Sequence, residues 1–442
     1  MPLSPSMACK GILSRLKPLT RTHVQYDSTS MMQQHLTSSY RHLFLATQIR
    51  HMTRHRRVKD RSKKKRIHHL EIVTERYKVV AKVLAIIEIL KKEQEQVMPL
   101  RQLEKYRQQI NLPKPYKVAD FIRKSPKLFE ICKDTRGALW CGLTSEAEEL
   151  MEEETKLLEL NNEKTLEYVT RLLMMSVEKK LPVDKIAHFR RDMGLPNNFR
   201  TEWVHMFPEH FKLVRMWDTD FLELVNWNPK WAVTELEKKS MATKDNLAIC
   251  SPGELCLPFP MKFPPDYKRV SQYKGQIENF QKMAYLSPYA DARGLTPGTR
   301  EFDKRTVAII HEILSFTLEK RLVTDHLTHF RRELVMPQKL MRILLKHFGV
   351  FYVSERGKRF SVFLNEAYNG SELVDKVPLV LWREKVLQFT GYRGRMKKII
   401  DSDTHAHDDA DDDAVFMDDG DEEMSNPFND DDSEMDVATL HI

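Results

Sequence analysis

The feature that most limits the possible folds is a nine-residue segment that occurs twice. It reads HFRRDMGLP at 188–196 and HFRRELVMP at 329–337, and a weaker third copy, KYRQQINLP, lies at 105–113. Each copy has an aromatic residue, then an arginine, and closes with a proline, which cannot continue a helix. A chain of 442 residues with 41% hydrophobic content can form more than one core. The sequence therefore predicts several related units.

The surroundings of each segment repeat as well. An apolar stretch at helical spacing precedes it, a short amphipathic stretch follows, and two apolar runs around polar turn residues (DTRG, WDTD and ERGK) end the unit. This order of three helices and a two-stranded hairpin is typical of a winged helix. We predict an α+β fold, mainly α with short β-hairpins. About three winged-helix-like copies are expected in a domain over 56–398, at 70–145, 163–226 and 303–366, with a spacer at 227–302 and a C-terminal helix at 372–398.

The second copy shows how the segment is expected to fold. Its apolar residues recur at helical spacing over about 183–193, which predicts a helix whose Phe189 faces the core, as Phe330 does in the copy at 329–337. Gly194 is expected to end this helix, and Pro196 to prevent its continuation. The arginines beside the phenylalanine then point outward.

Charge is divided unevenly along the chain. The formal net charge is +8, but residues 401–442 contain 17 Asp or Glu and no Lys or Arg, so residues 1–400 carry a net charge of +25. A strongly basic body attracts polyanions, of which nucleic acid is the commonest inside cells. The acidic segment has few aromatic residues and a high density of like charge, so we predict a disordered tail at 399–442.

The N-terminal region is basic and almost free of acids. Its first 59 residues contain ten Lys or Arg and one acid, Asp27. This composition, with apolar residues at helical spacing, is typical of an organelle transit peptide. We predict such a peptide at 1–55, with the mitochondrion favoured and the chloroplast as the alternative; a retained basic arm that binds nucleic acid is the other interpretation. No apolar run reaches the roughly 18 to 20 residues of a membrane span, so no membrane partner is expected.

Phosphate contacts are expected from basic residues of the repeats and of the segment before them. A run such as KKKR binds phosphates through counterion release, without sequence preference. For the repeated arginine pairs, the alternative is a solvated helix face or an ion pair with Asp192 or Glu333. The candidate RNA-binding residues are Arg61, Lys63, Lys64, Lys65, Arg66, Arg107, Lys114, Lys117, Arg190, Arg191, Arg200, Arg331, Arg332, Lys339 and Arg342.

The sequence contains no recognisable signature of catalysis or metal binding. The stretch HEILS at 311–315 begins like a zinc-protease helix, but Ser315 stands where the second histidine must be. No GxxxxGK[ST], GxGxxG or GxSxG motif is present. The five cysteines lack the two-residue spacing of a zinc knuckle and are expected to be reduced thiols, and His188 and His329 look like helix-surface residues. We therefore expect no catalytic residue, metal site or cofactor, and no enzymatic activity.

Several longer stretches are similar to a known family. LPKPYKVADFIRKSPKLFEI, AHFRRDMGLPNNFRTEWVHMFPEHFKLV and ELVDKVPLVLWREKV resemble the plant organelle RNA recognition (PORR) domain, and the resemblance runs from about Arg56 to Arg395. It implies a nuclear-encoded protein that is imported into an organelle, binds intron RNA and promotes group II intron splicing without catalysis, together with other splicing factors. The chain departs from the usual pattern at KKKRIHH and in its long acidic tail.

Two hypotheses follow from the sequence. The first is a non-catalytic organellar RNA-binding splicing factor whose lysines and arginines hold intron RNA. The second is an organellar DNA-binding or scaffold protein, because winged helices commonly read duplex DNA through the third helix. Against the second, the predicted third helices carry Arg200 or Arg342 among bulky apolar residues and few Asn or Gln side chains that could read bases.

Overall fold

The computed structural model describes residues 66–93, 95–243, 253–264, 267, 271–356 and 359–393. The predicted transit peptide at 1–55 and acidic tail at 399–442 lie outside these residues. Within them, helices combine with small antiparallel sheets, which confirms the α+β class.

Three units share the same main elements: a long helix, a short strand, shorter helical segments and two further strands. Unit A (68–143) contains α1 (His68–Leu90), β1 (Met98–Pro99), α2 (Leu100–Leu103), α3 (Arg107–Ile110), α4 (Val118–Arg123), β2 (Phe129–Lys133) and β3 (Leu139–Leu143). Helix α5 (Ser145–Leu160) leads to the next unit. Unit B (162–224) contains α6 (Asn162–Met175), β4 (Lys180–Pro182), α7 (Val183–His188), α8 (Arg190–Met193), a 3-10 turn (Trp203–Met206), β5 (Phe211–Met216) and β6 (Thr219–Leu224).

A spacer and a third unit complete the fold. The spacer contains α9 (Glu235–Thr243), β7 (Glu254–Leu255), α10 (Ser271–Lys282) and β8 (Tyr285–Leu286). Unit C (300–364) contains α11 (Arg300–Phe316), β9 (Arg321–Val323), α12 (Thr324–His329), α13 (Leu340–Lys346), β10 (Phe351–Ser354) and β11 (Ser361–Leu364). The last elements are β12 (Tyr368–Asn369), β13 (Glu372–Leu373) and α14 (Pro378–Phe389).

Each predicted hairpin is part of a three-stranded sheet. The short strand that precedes the second helix pairs with the last strand, so the order is first, third, second in all three units. The pairs Met98↔Cys141, Leu181↔Leu222 and Leu322↔Val362 illustrate the register. The sequence prediction of a two-stranded hairpin was therefore incomplete, because strands of two or three residues leave no alternation to detect.

The predicted second and third helices are shorter than expected. In unit B the helix predicted over 183–193 is interrupted at Phe189, whose backbone (φ −84°, ψ −1°) separates α7 from α8. The third helical segment of this unit is only the 3-10 turn. The cysteine prediction was wrong at Cys256, which forms a disulfide, whereas Cys132 and Cys141 are free thiols.

The closing proline of the repeat follows a left-handed residue in every copy. Asn111, Gly194 and Val335 have φ values of 59°, 76° and 53° and each lies two residues before the proline. The next amide donates to the carbonyl of the repeat arginine, with N–O distances of 3.1, 2.8 and 2.9 Å for Leu112 to Arg107, Leu195 to Arg190 and Met336 to Arg331. This bond is the one that ends a helix in a Schellman motif, so the prediction that Gly194 ends its helix is confirmed.

Units B and C share one hydrophobic core, and their repeat segments meet at its centre. Phe189 and Phe330 are both fully buried, as predicted, and their ring centroids lie 5.0 Å apart. The preceding histidines, His188 and His329, stack at 5.0 Å. Residues at the same position of the two copies therefore touch each other.

Hydrogen bonds and ion pairs across this contact are reciprocal. The amide of Val177 donates to the carbonyl of Glu333 (3.0 Å), and the amide of Leu318, its equivalent, donates to the carbonyl of Asp192 (2.8 Å). Two side-chain contacts also correspond: Lys185 Nζ lies 2.5 Å from Glu333, and His326 Nδ1 lies 3.7 Å from Asp192. Such mutual exchange defines an approximate two-fold interface, here within one chain.

A buried charge network ties α6 to α11 and to the spacer. The Arg171 side chain is fully buried and forms ion pairs with Glu167 (2.9 Å), Glu235 and Glu312. The Tyr289 hydroxyl accepts from Arg171 Nε (2.9 Å) and donates to Glu312 (2.6 Å). Burial raises the pKa of Glu312, and the Arg171 charge opposes this rise.

We expect Val335→Asn to stabilise the protein by up to about 1 kcal/mol, because a β-branched residue is strained in the left-handed region and Asn tolerates it. Valine at the equivalent position of unit B, Gly194→Val, should lower the free energy of unfolding by at least about 1–2 kcal/mol. A Cβ there would lie 3.2 Å from the Leu379 side chain. Urea unfolding measures both, and a loss of stability in Val335→Asn would contradict the strain argument.

We expect Arg171→Met to lower the free energy of unfolding by about 3–5 kcal/mol at neutral pH, because it leaves the buried Glu312 carboxylate unpaired. The loss should shrink as the pH falls and Glu312 takes up a proton in the folded state. Adding Glu312→Gln should recover part of the stability. Equal losses at pH 7 and pH 5 would argue against this account.

Candidate nucleic-acid interface

Of the candidate residues in the basic segment, Arg66 lies within the described residues. Arg61, Lys63, Lys64 and Lys65 lie outside the described residues, and Arg66 is exposed just before α1. The remaining candidates are distributed over all three units. The structure therefore does not gather the whole set on one surface.

Arg190 and Arg191 of unit B form a clamp on helix α1 of unit A. Arg190 Nη2 lies 2.7 Å from one oxygen of Glu88, and Arg191 Nη2 lies 2.6 Å from the other. Their side chains are only 21% and 30% exposed. Burial disfavours the Glu88 carboxylate, but the charges and hydrogen bonds of the two arginines hold its pKa below the ordinary value. The clamp therefore fixes unit A to unit B.

Asp192 and Glu333, the carboxylates considered as local partners of the arginine pairs, contact other residues. Asp192 is buried and faces Arg321 (3.7 Å) and the hydroxyl of Tyr77 (3.3 Å), while Glu333 pairs with Lys185. Burial opposes ionisation of Asp192, yet the neighbouring His326 ring and the Arg321 charge lower its pKa. For Arg190 and Arg191 the structure thus shows neither of the local alternatives, a solvated face or a pair with Asp192, because their partner comes from a helix about a hundred residues earlier.

The corresponding arginines of unit C remain at the surface. Arg331 donates to the carbonyl of Gln338 (3.1 Å), just before α13, and Arg332 is exposed. Lys339 and Arg342 are exposed as well, and Lys346 on the same helix is 53% exposed. Among the described residues, Arg332 and Arg342 form no ion pair.

These residues of unit C lie along one face of α13. Lys339, Arg342 and Lys346 follow at intervals of three and four residues, which places them on one side of a helix. We call this stripe, together with Arg332, the unit C basic face. Sequence reasoning missed Lys346, although its helical spacing from the other two could have identified it.

The candidates of unit A and of the unit B turn have other surroundings. Arg107 donates to the carbonyls of Leu112 (3.1 Å) and Pro113 (2.6 Å), so its guanidinium closes the end of its own helix. Lys114 and Lys117 are exposed nearby. Arg200 is 55% exposed and pairs with Asp184 at 2.9 Å.

Neither a metal site nor a membrane segment is found in the described part of the chain. No group of three or more His, Cys, Asp or Glu residues there could hold a metal ion. None of the helices in those ranges is long and apolar enough to cross a membrane.

Comparison with known proteins identifies the family. Residues 65–395 match the plant organelle RNA recognition domain. The chain belongs to the plant organelle RNA recognition family. No solved structure matches it.

Proteins of two plants are similar to most of this chain. Protein WHAT'S THIS FACTOR 1 homolog, chloroplastic, of Arabidopsis thaliana is 38% identical over 323 residues, covering 71% of this chain and 60% of that protein. The chloroplastic protein of the same name from Zea mays is 36% identical over 72% of this chain and 64% of its own length. Protein WHAT'S THIS FACTOR 9, mitochondrial, of Arabidopsis thaliana is 26% identical over 69% of this chain and 78% of its own. The chain thus spans less than two thirds of the chloroplastic relatives.

We expect Glu88→Gln to cost about 1–2 kcal/mol of stability at pH 7, because it removes the charge that both arginines contact. A carboxyl whose folded pKa is lowered stabilises the protein above its unfolded pKa and loses that contribution as the pH falls through the folded value. The difference between wild type and variant should therefore shrink below the ordinary Glu pKa of 4.5. Glu95→Gln, at an exposed position, is the matched control. A pH-independent difference would contradict the clamp.

Proposed function

We propose that this protein binds intron RNA in a plant organelle and promotes group II intron splicing. The observation that carries the proposal is the family match over residues 65–395. The protein would hold the RNA in a productive conformation and leave the chemistry to the intron. Support for a non-catalytic role comes from the sequence, which offers no nucleophile, phosphate-binding or metal-ligand motif.

The unit C basic face is the surface that we propose for phosphate contacts. Its Arg332 is equivalent to Arg191, one of the two arginines that bind Glu88 in unit B, so an arginine at this position of the repeat already holds an anion in this chain. In unit C no described carboxylate takes that place. Arginine donors suit phosphate oxygens as well as carboxylates, and exposed arginines are accessible to a phosphate ligand.

We infer that the three units are winged-helix-like. The supporting features are the shared succession of helices and the sheet order of first, third, second strand. In unit C the third helix, α13, carries the basic face, as expected for the helix that approaches nucleic acid in such folds. In unit B the third segment is a single 3-10 turn with its Arg200 paired. Unit C is thus the unit that we assign to RNA.

We place the protein in the chloroplast. The basic, acid-poor N-terminus predicts import into an organelle and favours the mitochondrion only weakly. The relatives at 36–38% identity are named chloroplastic, and the one named mitochondrial is 26% identical. The comparison therefore shifts our preference from the mitochondrion, which the sequence favoured, to the chloroplast.

A DNA-binding or scaffold role is the second candidate, and the winged-helix-like arrangement is what favours it. The exposed face of α13 offers lysine and arginine but no Asn or Gln for reading a major groove. Binding to duplex DNA with higher affinity than to single-stranded RNA of equal length would favour this candidate.

We expect Arg332→Gln/Arg342→Gln to weaken binding to single-stranded RNA of any sequence. Each lost phosphate contact should reduce the slope of log K against log salt by about 0.7, so the double variant should lose roughly 1.4. Stability should stay within about 0.5 kcal/mol of wild type, because both side chains are exposed. Fluorescence titrations at several salt concentrations measure the slope.

Arg101→Gln/Arg136→Gln, exposed arginines of unit A, removes the same charge from another surface and serves as control. If both double variants change the slope equally, net charge and not the unit C basic face determines binding. If neither wild type nor control binds RNA, the proposed function itself is wrong.

A further inference from the structure

An aromatic cavity lies between the spacer and unit C, at the end of α13. It has a volume of about 610 Å³, which falls in the range of small-ligand sites. Its lining includes Phe263, Tyr267 and Phe280 of the spacer and His347 and Phe348 of unit C. Neither the sequence motifs nor the basic residues pointed to this cavity.

The rings are arranged around the opening and remain half-buried. Phe263 and Tyr267 stack at 5.8 Å, and Phe348 meets Tyr267 edge-on at 4.7 Å. On the other wall, Phe280 stacks on His347 at 4.4 Å. The amide of Tyr267 donates to the Pro264 carbonyl (3.0 Å), a turn that brings the Tyr267 ring back over Phe263. The cavity therefore presents aromatic surface from two sides.

The walls are held by hydrogen bonds to the backbone. The Lys262 amide donates to the Gly349 carbonyl (2.8 Å), and the buried Asn365 side chain donates to the carbonyls of Lys262 (3.2 Å) and Phe348 (3.0 Å). A Cβ at Gly349 would come within 2.9 Å of the Phe263 ring, so only glycine allows this close approach. The aromatic residues are thus positioned before any ligand arrives.

The cavity is lined by neutral polar groups as well as by the charged side chains of Arg300, Asp303 and Lys346. Gln276 and Asn279 line it from one face of α10. Burial and the nearby Lys346 charge lower the pKa of His347 to about 4, so its ring is uncharged at neutral pH. Among the described residues, His347 Nε2 has no hydrogen-bond partner. Amide and neutral imidazole groups suit the donors and acceptors of a base edge and offer no charge for a phosphate.

The cavity is continuous with the unit C basic face. Lys346, the last residue of that face, pairs with Asp303 (2.9 Å) and both line the cavity. From Lys339 to Lys346 the helix rises about 10 Å. A strand whose phosphates follow α13 would therefore reach the cavity with its next base.

We propose that this cavity binds one unstacked nucleobase of a single-stranded RNA whose phosphates lie along the unit C basic face. The proposal rests on the proposed function and names the part of the surface that reads bases. Sequence-tolerant stacking on aromatic rings is the usual way in which proteins hold single strands, with phosphates bound in an adjacent basic groove. A peptide with an apolar side chain is the competing occupant. In that case the protein would not prefer RNA that carries bases over an abasic strand.

The test compares two RNAs of equal length and charge, one with bases and one with an abasic backbone, against the full chain. Wild type should prefer the base-bearing strand by roughly tenfold, the effect of stacking about one base. Asn279→Trp, which fills the cavity, should reduce this preference to about twofold or less and leave the salt slope unchanged. Glu278→Trp is the control. It places the same ring at the preceding position of α10, which is exposed and does not line the cavity, and it should keep the preference.

Ultraviolet crosslinking of the wild-type chain to uridine-rich RNA gives a second measurement that needs no variant. Crosslinked peptides should contain Phe263, Tyr267 or Phe348. Equal binding of the two RNAs by wild type, or a full preference in folded Asn279→Trp, would overturn the cavity proposal while RNA binding stands. Absence of binding to either RNA would overturn the proposed function first. Crosslinks confined to other units would also count against the cavity.

Discussion

The contact between Phe189 and Phe330 is the interaction on which the central part of the structure depends. Each ring is fully buried and comes from the same position of a repeated segment. Because the contact joins equivalent residues, the hydrogen bonds and ion pairs around it occur in reciprocal pairs. Two units that could each bury only a small core thereby form one larger core, which the buried Arg171 network links to the spacer.

The approximate two-fold relationship of units B and C leaves two equivalent arginine pairs, and unit A breaks the symmetry between them. Unit A covers the pair of unit B through Glu88, so those guanidiniums contribute to the assembly of the chain. The pair of unit C has no such cover among the described residues. One repeated motif therefore has a structural role in one copy and is available for a ligand in another. The arginine that all three copies share also contributes its carbonyl to the helix end.

The proposed RNA surface combines two kinds of contact at one end of unit C. Charged side chains along α13 would provide affinity without sequence preference, and that affinity depends on salt. The aromatic cavity beside them would add contacts that depend on the presence of a base. A surface of this kind suits a protein that holds single-stranded segments of a folded RNA in place.

The α+β class and the burial of Phe189 and Phe330 could be predicted from the sequence, because helical periodicity and the closing proline act over a few residues. The sequence also identified Gly194 as a helix end. The additional strands, such as Lys180–Pro182, could not be predicted because they are short and exist only when paired with a distant strand. The partner of Arg190 and Arg191 and the aromatic cavity were decided by tertiary structure alone. Glu88, Phe263 and Phe348 come together only when separate units and the spacer pack, and no local pattern encodes that packing.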